Sequence, residues 1–153
     1  MMKDLQQFAE KQNGAAAVEF ALIATAFFML LLGVVEIGRV LFTWNAAAEA
    51  ARYGARVAVV CNMNDDAIRD RMRRIMPNLA DANVDIKYMA FDKATKKMSE
   101  GCIPATCDFI KVSITNFQIT THIPVVSAVL TVPTFATTLP RESLDSTINP
   151  ICS

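Results

Sequence analysis

From Ala15 to Val35 the chain runs through 21 residues with one charge, Glu19. A helix of that length covers about 30 Å, enough to cross the hydrocarbon core of a bilayer. The apolar rhythm then changes character without stopping. Ile37, Leu41, Trp44, Ala48, Ala51, Ala55 and Ala58 recur at alternating intervals of four and three, while Glu36, Arg39, Glu49, Arg52 and Arg56 occupy the rest of the circumference. This predicts one helix over 15–60, roughly 70 Å long, half of it an amphipathic stem beyond the membrane. The stripe can pack on the chain's own C-terminal part, on a neighbouring copy, or on both with different portions.

Beyond Cys61 the pattern shortens. Asn64-Asp65-Asp66 reads as a helix start, and Ile68, Met72 and Ile75 share one face of a helix over 65–76, with arginines toward its end and Pro77 as its stop. Val84, Ile86 and Tyr88 alternate as a strand, as do Ile110, Val112 and Ile114 within 109–117. Residues 93–100 are polar and read as a loop; 122–132, apolar and containing Pro124, reads as a loop or short helix before a last strand at 133–139. The expected fold is α+β: a long N-terminal helix, then a small domain with one helix on an antiparallel sheet of about three strands. The expected divisions are a leader at 1–14, a membrane helix at 15–35, a stem at 36–60 and the small domain at 61–153.

Composition sharpens this picture. Apolar residues make up 53% of the chain, high for a soluble domain, and the formal net charge is zero. That balance gives no polybasic attraction to nucleic acid. Arg69, Arg71, Arg73 and Arg74 form one basic cluster, but Asp65, Asp66 and Asp70 lie among them, so it reads as a solvated helix face. All four cysteines follow the apolar segment. An even number on one side of a span suggests disulfides in an oxidising compartment such as the periplasm. Three pairings are possible; Cys102 with Cys107 across a short Pro-containing loop, and Cys61 with the C-terminal Cys152, is the pairing favoured. A single histidine, His122, and the lack of C-x2-C spacing argue against a metal, and no cofactor is expected. Catalysis is not expected either: no phosphate loop, no H-E-x-x-H and no nucleophile elbow is present.

The order of segments at the N-terminus is unusual. A secretory signal places its small-residue cleavage site after the apolar core. Here Gly14-Ala15-Ala16-Ala17 comes before it, so cleavage at Gly14 would leave the apolar helix on the mature chain. Lys3 and Lys11 precede the span and place the N-terminus in the cytoplasm. Glu19 has no role in a plain anchor, because a carboxylate in hydrocarbon costs on the order of 2–4 kcal/mol.

Three stretches carry a family resemblance: Gly14-Ala-Ala-Ala-Val-Glu19-Phe20, Leu32-Gly-Val-Val-Glu36-Ile-Gly38-Arg39, and Asn45-Ala-Ala-Ala-Glu-Ala-Ala-Arg52-Tyr-Gly54-Ala-Arg56. They resemble TadE-like pseudopilins, minor pilins of the tight-adherence (Flp, type IVb) system, and Thr134–Glu142 fits the C-terminal strand usual there. TadF proteins share the N-terminal pattern, so the choice between the two roles stays open. The resemblance implies a substrate of an inner-membrane prepilin peptidase, cleaved between Gly14 and Ala15. Glu19 would then be the fifth mature residue, and Glu19-Phe20 would match the acidic-aromatic pair of Flp-type prepilins. The new amine of Ala15 and the Glu19 carboxylate can neutralise one another within one chain or between neighbours. Partners implied are the peptidase, other pilins and pseudopilins, the assembly platform and the membrane. Ile37, Leu41, Trp44, Ala48, Ala51 and Ala55 are the expected packing positions of the stem. The implied location is the bacterial inner membrane, single-pass, with the small domain in the periplasm and possible incorporation in the pilus. The alternative is an uncleaved single-pass adaptor whose exported domain binds an envelope partner.

Overall fold

The computed structural model describes residues 2–121, 128–147 and 149–152, with side chains from Gly14 onward. Helix α1 runs unbroken from Met2 to Ala58, 57 residues or about 85 Å. It passes through Gly14, Gly33, Gly38 and Gly54 without interruption. From Gly14 to Val35 almost every side chain is exposed, Phe20, Ile23 and Leu30 among the most open. Burial begins in earnest at Ala47 and grows toward the helix end, where Ala50, Ala51, Ala55 and Ala58 have essentially no accessible surface. The far end of α1 is thus a core element of the domain that follows.

Helix α2 spans Asp66–Ile75 and begins at an Asp65 cap, whose carboxylate accepts from the Ala67 amide at 3.0 Å. Asp66 in the first turn and Arg73 and Arg74 in the last complement the helix dipole. Asn64, just before the cap, has φ of 59°, a conformation asparagine tolerates better than most residues. Its amide donates to the Tyr88 hydroxyl at 2.8 Å. Burial pushes the Tyr88 phenol above its ordinary pKa, and that amide acts in the opposite sense.

The strands are β1 (Val84–Asp92), β2 (Lys97–Glu100), β3 (Phe109–Ile114), β4 (Gln118–Thr120), β5 (Val129–Thr131) and β6 (Phe135–Pro140). Four of them form an antiparallel sheet in the order β2-β1-β3-β6, and β4 pairs with β5 in a separate hairpin. Ile110, Val112 and Ile114 point from β3 into the core, against α1 and α2. Fold class and helix-on-sheet arrangement follow the sequence expectation, with two differences. The sheet has four strands, because Lys97–Glu100 is an edge strand and only 93–96 forms the connecting turn. Every residue of β2 is exposed, so no inside–outside alternation marks it; it is held by its ladder to Met89–Asp92 and by Lys87–Glu100 at 2.8 Å. The described part of the 122–132 region is strand, Val129–Thr131, paired with Gln118–Thr120. Residues 122–127, including His122 and Pro124, lie outside the described residues.

After β6 the chain returns to seal the end of α1. The Glu142 and Asp145 amides donate to the Val59 and Val60 carbonyls at 3.1 and 3.0 Å. The Ser146 hydroxyl donates to Asp65 at 2.6 Å, tying this tail to the α2 cap. Disulfides Cys61–Cys152 and Cys102–Cys107 complete the closure. The first links the exit of α1 to the chain's last turn; the second closes the loop between β2 and β3.

Candidate functional site

The surface that sets this chain apart is α1 itself, and its residues fall into three groups along the axis. At one end lie Gly14, Ala15, Glu19 and Phe20, all exposed among the described residues, Phe20 at 74%. Glu19 stands one helical turn beyond Ala15 on an otherwise apolar surface. At the other end Ala51 and Ala55 are buried against α2 and the sheet, as are Ala47, Ala50, Gly54 and Ala58. Between them the expected seam separates. Ile37 is 63% and Leu41 50% exposed, while Trp44 and Ala48 lie at the margin of the domain. The stripe thus divides into different portions: a C-terminal one used by the chain's own core, and an N-terminal one exposed among the described residues.

The reason lies in helix geometry. The domain docks on the face centred on Ala47, Ala50–Ala51, Gly54 and Ala58, which is rotated relative to Ile37, Leu41 and Trp44. Only small side chains there allow α2 and β3 to approach. A Cβ on Gly54 would stand 2.5 Å from Met72 Sδ and 3.3 Å from Val112 Cγ1. That position must remain side-chain-free for the helix to seat.

The third group was not expected from sequence as a site. Glu36, the residue immediately after the apolar span, is 8% exposed. Arg39 donates to its carboxylate from Nη2 at 2.6 Å and from Nε at 3.2 Å. The same Nη2 also donates to the Thr120 carbonyl of β4, so one guanidinium joins the helix to the β4–β5 hairpin. Opposite charges three residues apart were visible in the sequence. The burial of Glu36 was not, nor was the reach of Arg39 to a strand 81 residues away. Arg39, Thr43, Asn78, Phe117 and Thr120 line a shallow cleft of about 290 Å³ beside this junction. Its walls hold no nucleophile–base pair. Among the described residues no group of three His, Cys, Asp or Glu side chains could hold a metal.

These features define a class: a helix long and apolar enough to cross a membrane, rigidly continued into a small disulfide-braced α+β head. Residues 14–56 match the family described as TadE-like protein. The match begins at Gly14 and reaches Arg56, covering the junction, Glu19, the open face and the Glu36–Arg39 pair, and it stops short of the head. No curated protein and no solved structure matches the chain.

Proposed function

We propose that this protein is a minor pseudopilin acting in assembly of a Tad (Flp-type, type IVb) pilus used in surface adhesion. The observation that carries the reading is the TadE-like match over residues 14–56. In this reading a prepilin peptidase cuts between Gly14 and Ala15, and the 15–35 segment stays in the inner membrane with the head in the periplasm. Two features support it. Among the described residues, the side chains from Gly14 to Val35 are almost all exposed, which fits lipid or other helices as their surroundings. Glu19 lies exposed on that surface, where hydrocarbon alone would disfavour it by a few kcal/mol. Pairing with an Ala15 amine, its own or a neighbour's, relieves both charges and favours assembly over free diffusion in the membrane. The stem then serves as a rigid arm: the core of the head is built directly on its last three turns. Partners are the peptidase, other pilins and pseudopilins, and the assembly platform.

Sequencing of the mature N-terminus, in cells with and without a prepilin peptidase, tests the proposal. The chain is expected to begin at Ala15 only when the peptidase is present. An unchanged N-terminus in both strains would overturn it and favour the uncleaved adaptor. Glu19→Ala is expected to insert into the membrane normally and to fail in pilus assembly; wild-type piliation would remove Glu19 from the mechanism.

A further inference from the structure

We infer that the membrane boundary on the side of the head lies between Arg39 and Trp44 rather than at Val35. The hydrocarbon core then takes Phe20–Gly38, and the lower edge of the head rests among lipid headgroups. The inference rests on the membrane reading of α1 and fixes its depth.

Two depths compete because the exposed apolar surface of α1 is longer than the hydrocarbon core. Past Val35 it continues through Ile37, Leu41, Phe42 and Trp44, with Phe42 74% exposed. A core on Ala15–Val35 holds the exposed Glu19 in hydrocarbon and leaves those four side chains in water. A core on Phe20–Gly38 is 19 residues and about 28 Å long, within the usual spanning range. It brings Glu19 out to the opposite boundary and takes in one other charge, Glu36. By sequence the two depths look alike, with one acid each. The fold breaks the tie: Glu36 is buried and accepts from Arg39 Nη2 at 2.6 Å, whereas Glu19 is open. A covered, paired carboxylate two residues from the edge burdens hydrocarbon far less than an open one.

The next layer fits headgroups. That layer adds about 5–8 Å on each side of the core, which is roughly Arg39–Thr43. Trp44 stands at its outer edge, with its Cβ inclined toward the helix N-terminus and so toward the membrane. Tryptophan concentrates at this level in membrane proteins. Asn78, Gln118 and Thr120 of the head, which line the cleft beside Arg39 and Thr43, are exposed, polar and uncharged. They suit headgroups and mark where hydrocarbon must stop, because strand backbone with an open edge is not tolerated inside it. Lipid is the occupant because of how the apolar surface wraps. At about 100° per residue, Ile37, Leu41 and Trp44 lie within about 60° of one another, but Phe42 is turned about 100° from Leu41. A neighbouring helix covers one stripe, whereas lipid covers all four side chains. A lone subunit thus keeps Glu19 at the boundary, and Glu19 enters an apolar setting only when an Ala15 amine meets it.

Fluorescence depth measurements on full-length protein in phosphatidylcholine nanodiscs test this. Trp44 is the chain's only tryptophan, so Trp44→Phe gives a silent background for introduced ones. Leu22 and Val35 are exposed and flank the midpoint of Phe20–Gly38, each about 10 Å from it along the axis. With lipids brominated near the ends of their acyl chains, Leu22→Trp and Val35→Trp are expected to be quenched about equally. Quenching several times stronger at Leu22→Trp places the centre nearer Thr25, overturns the inference and leaves the anchor intact. A nitroxide on the lipid headgroup is expected to quench native Trp44 and Gln118→Trp and to spare Met98→Trp. Met98 lies at the far end of the sheet, near Asp108 and the Arg141–Glu142 segment that bonds Val59. If the nitroxide leaves Trp44 or Gln118→Trp untouched, water or another protein surrounds them and the seating is overturned. No quenching at Leu22→Trp or Val35→Trp removes the membrane reading itself. Thiol labelling confirms that both disulfides persist in each variant.

Discussion

Gly54→Ala tests how closely the stem and head are fused. In an isolated helix this change stabilises by about 1 kcal/mol, because alanine loses less backbone freedom on folding. Here the added Cβ would lie 2.5 Å from Met72 Sδ and 2.7 Å from Met72 Cγ. Met72 has no exposed surface, and the crowded atoms lie in the middle of its side chain, so it cannot swing its tip into solvent. Overpacking a filled core costs about 1–3 kcal/mol. With the contacts well inside van der Waals distance on two atoms, the upper half of that range applies. The net effect is a destabilisation of about 1–2 kcal/mol, a fall in Tm of roughly 5–10 °C for a head of this size. Pulse proteolysis in urea on the full chain in detergent micelles reads it, with near-UV circular dichroism as a second probe. The decisive comparison is Gly54→Ala with and without Met72→Ala. Met72→Ala alone should cost about 2–5 kcal/mol, and the alanine methyl at 54 should recover part of the cavity, giving coupling of at least about 0.5 kcal/mol. A Gly54→Ala protein as stable as wild type, or strictly additive effects, would refute the close docking of α1 on α2.

Three further outcomes are expected. Cys61→Ser with Cys152→Ser opens a loop with a sequence separation of 91 residues, and chain entropy puts its loss at about 4–5 kcal/mol. Removing Cys102–Cys107, with a separation of 5, should cost only about 2 kcal/mol, so equal shifts in urea midpoint would contradict the entropic account. Glu36→Ala releases Arg39 from its carboxylate partner; hydrogen exchange should quicken in residues 117–121 and stay unchanged in 84–92, and uniform protection would show that the pair does not secure the hairpin. The raised Tyr88 pKa means the folded state keeps this proton after the unfolded state has lost it. Stability is therefore complete below the ordinary tyrosine value near 10 and declines as pH rises through it. Tyr88→Phe should flatten that alkaline decline while lowering neutral-pH stability by about 0.5–1.5 kcal/mol through loss of the Asn64 hydrogen bond; an unchanged alkaline slope would assign the effect elsewhere.

Much of the architecture was legible because it depends on local periodicity. The apolar run at 15–35 needs no tertiary partner to declare itself, and Asp65 caps α2 through an amide two residues away. The alternations at Val84–Tyr88 and Ile110–Ile114 mark strands because each has one face on the core. β2 was read as a loop for the converse reason: an edge strand exposed on both faces carries no alternation, and its ladder to β1 is made by backbone groups that every residue possesses.

Along α1 the division is sharper. Sequence alone determined that this chain has a membrane-length apolar segment beginning at Ala15, a carboxylate at Glu19, and small residues throughout 46–58. Only the tertiary structure decided which of those small residues face the head, since a stripe of alanines wraps too much of the helix to define one seam. It also decided that Glu36 is buried and that Arg39 reaches Thr120. Spacing along a helix fixes which side chains share a face; what covers that face depends on α2, β3 and β6, which the chain forms later, and no local pattern can encode that encounter.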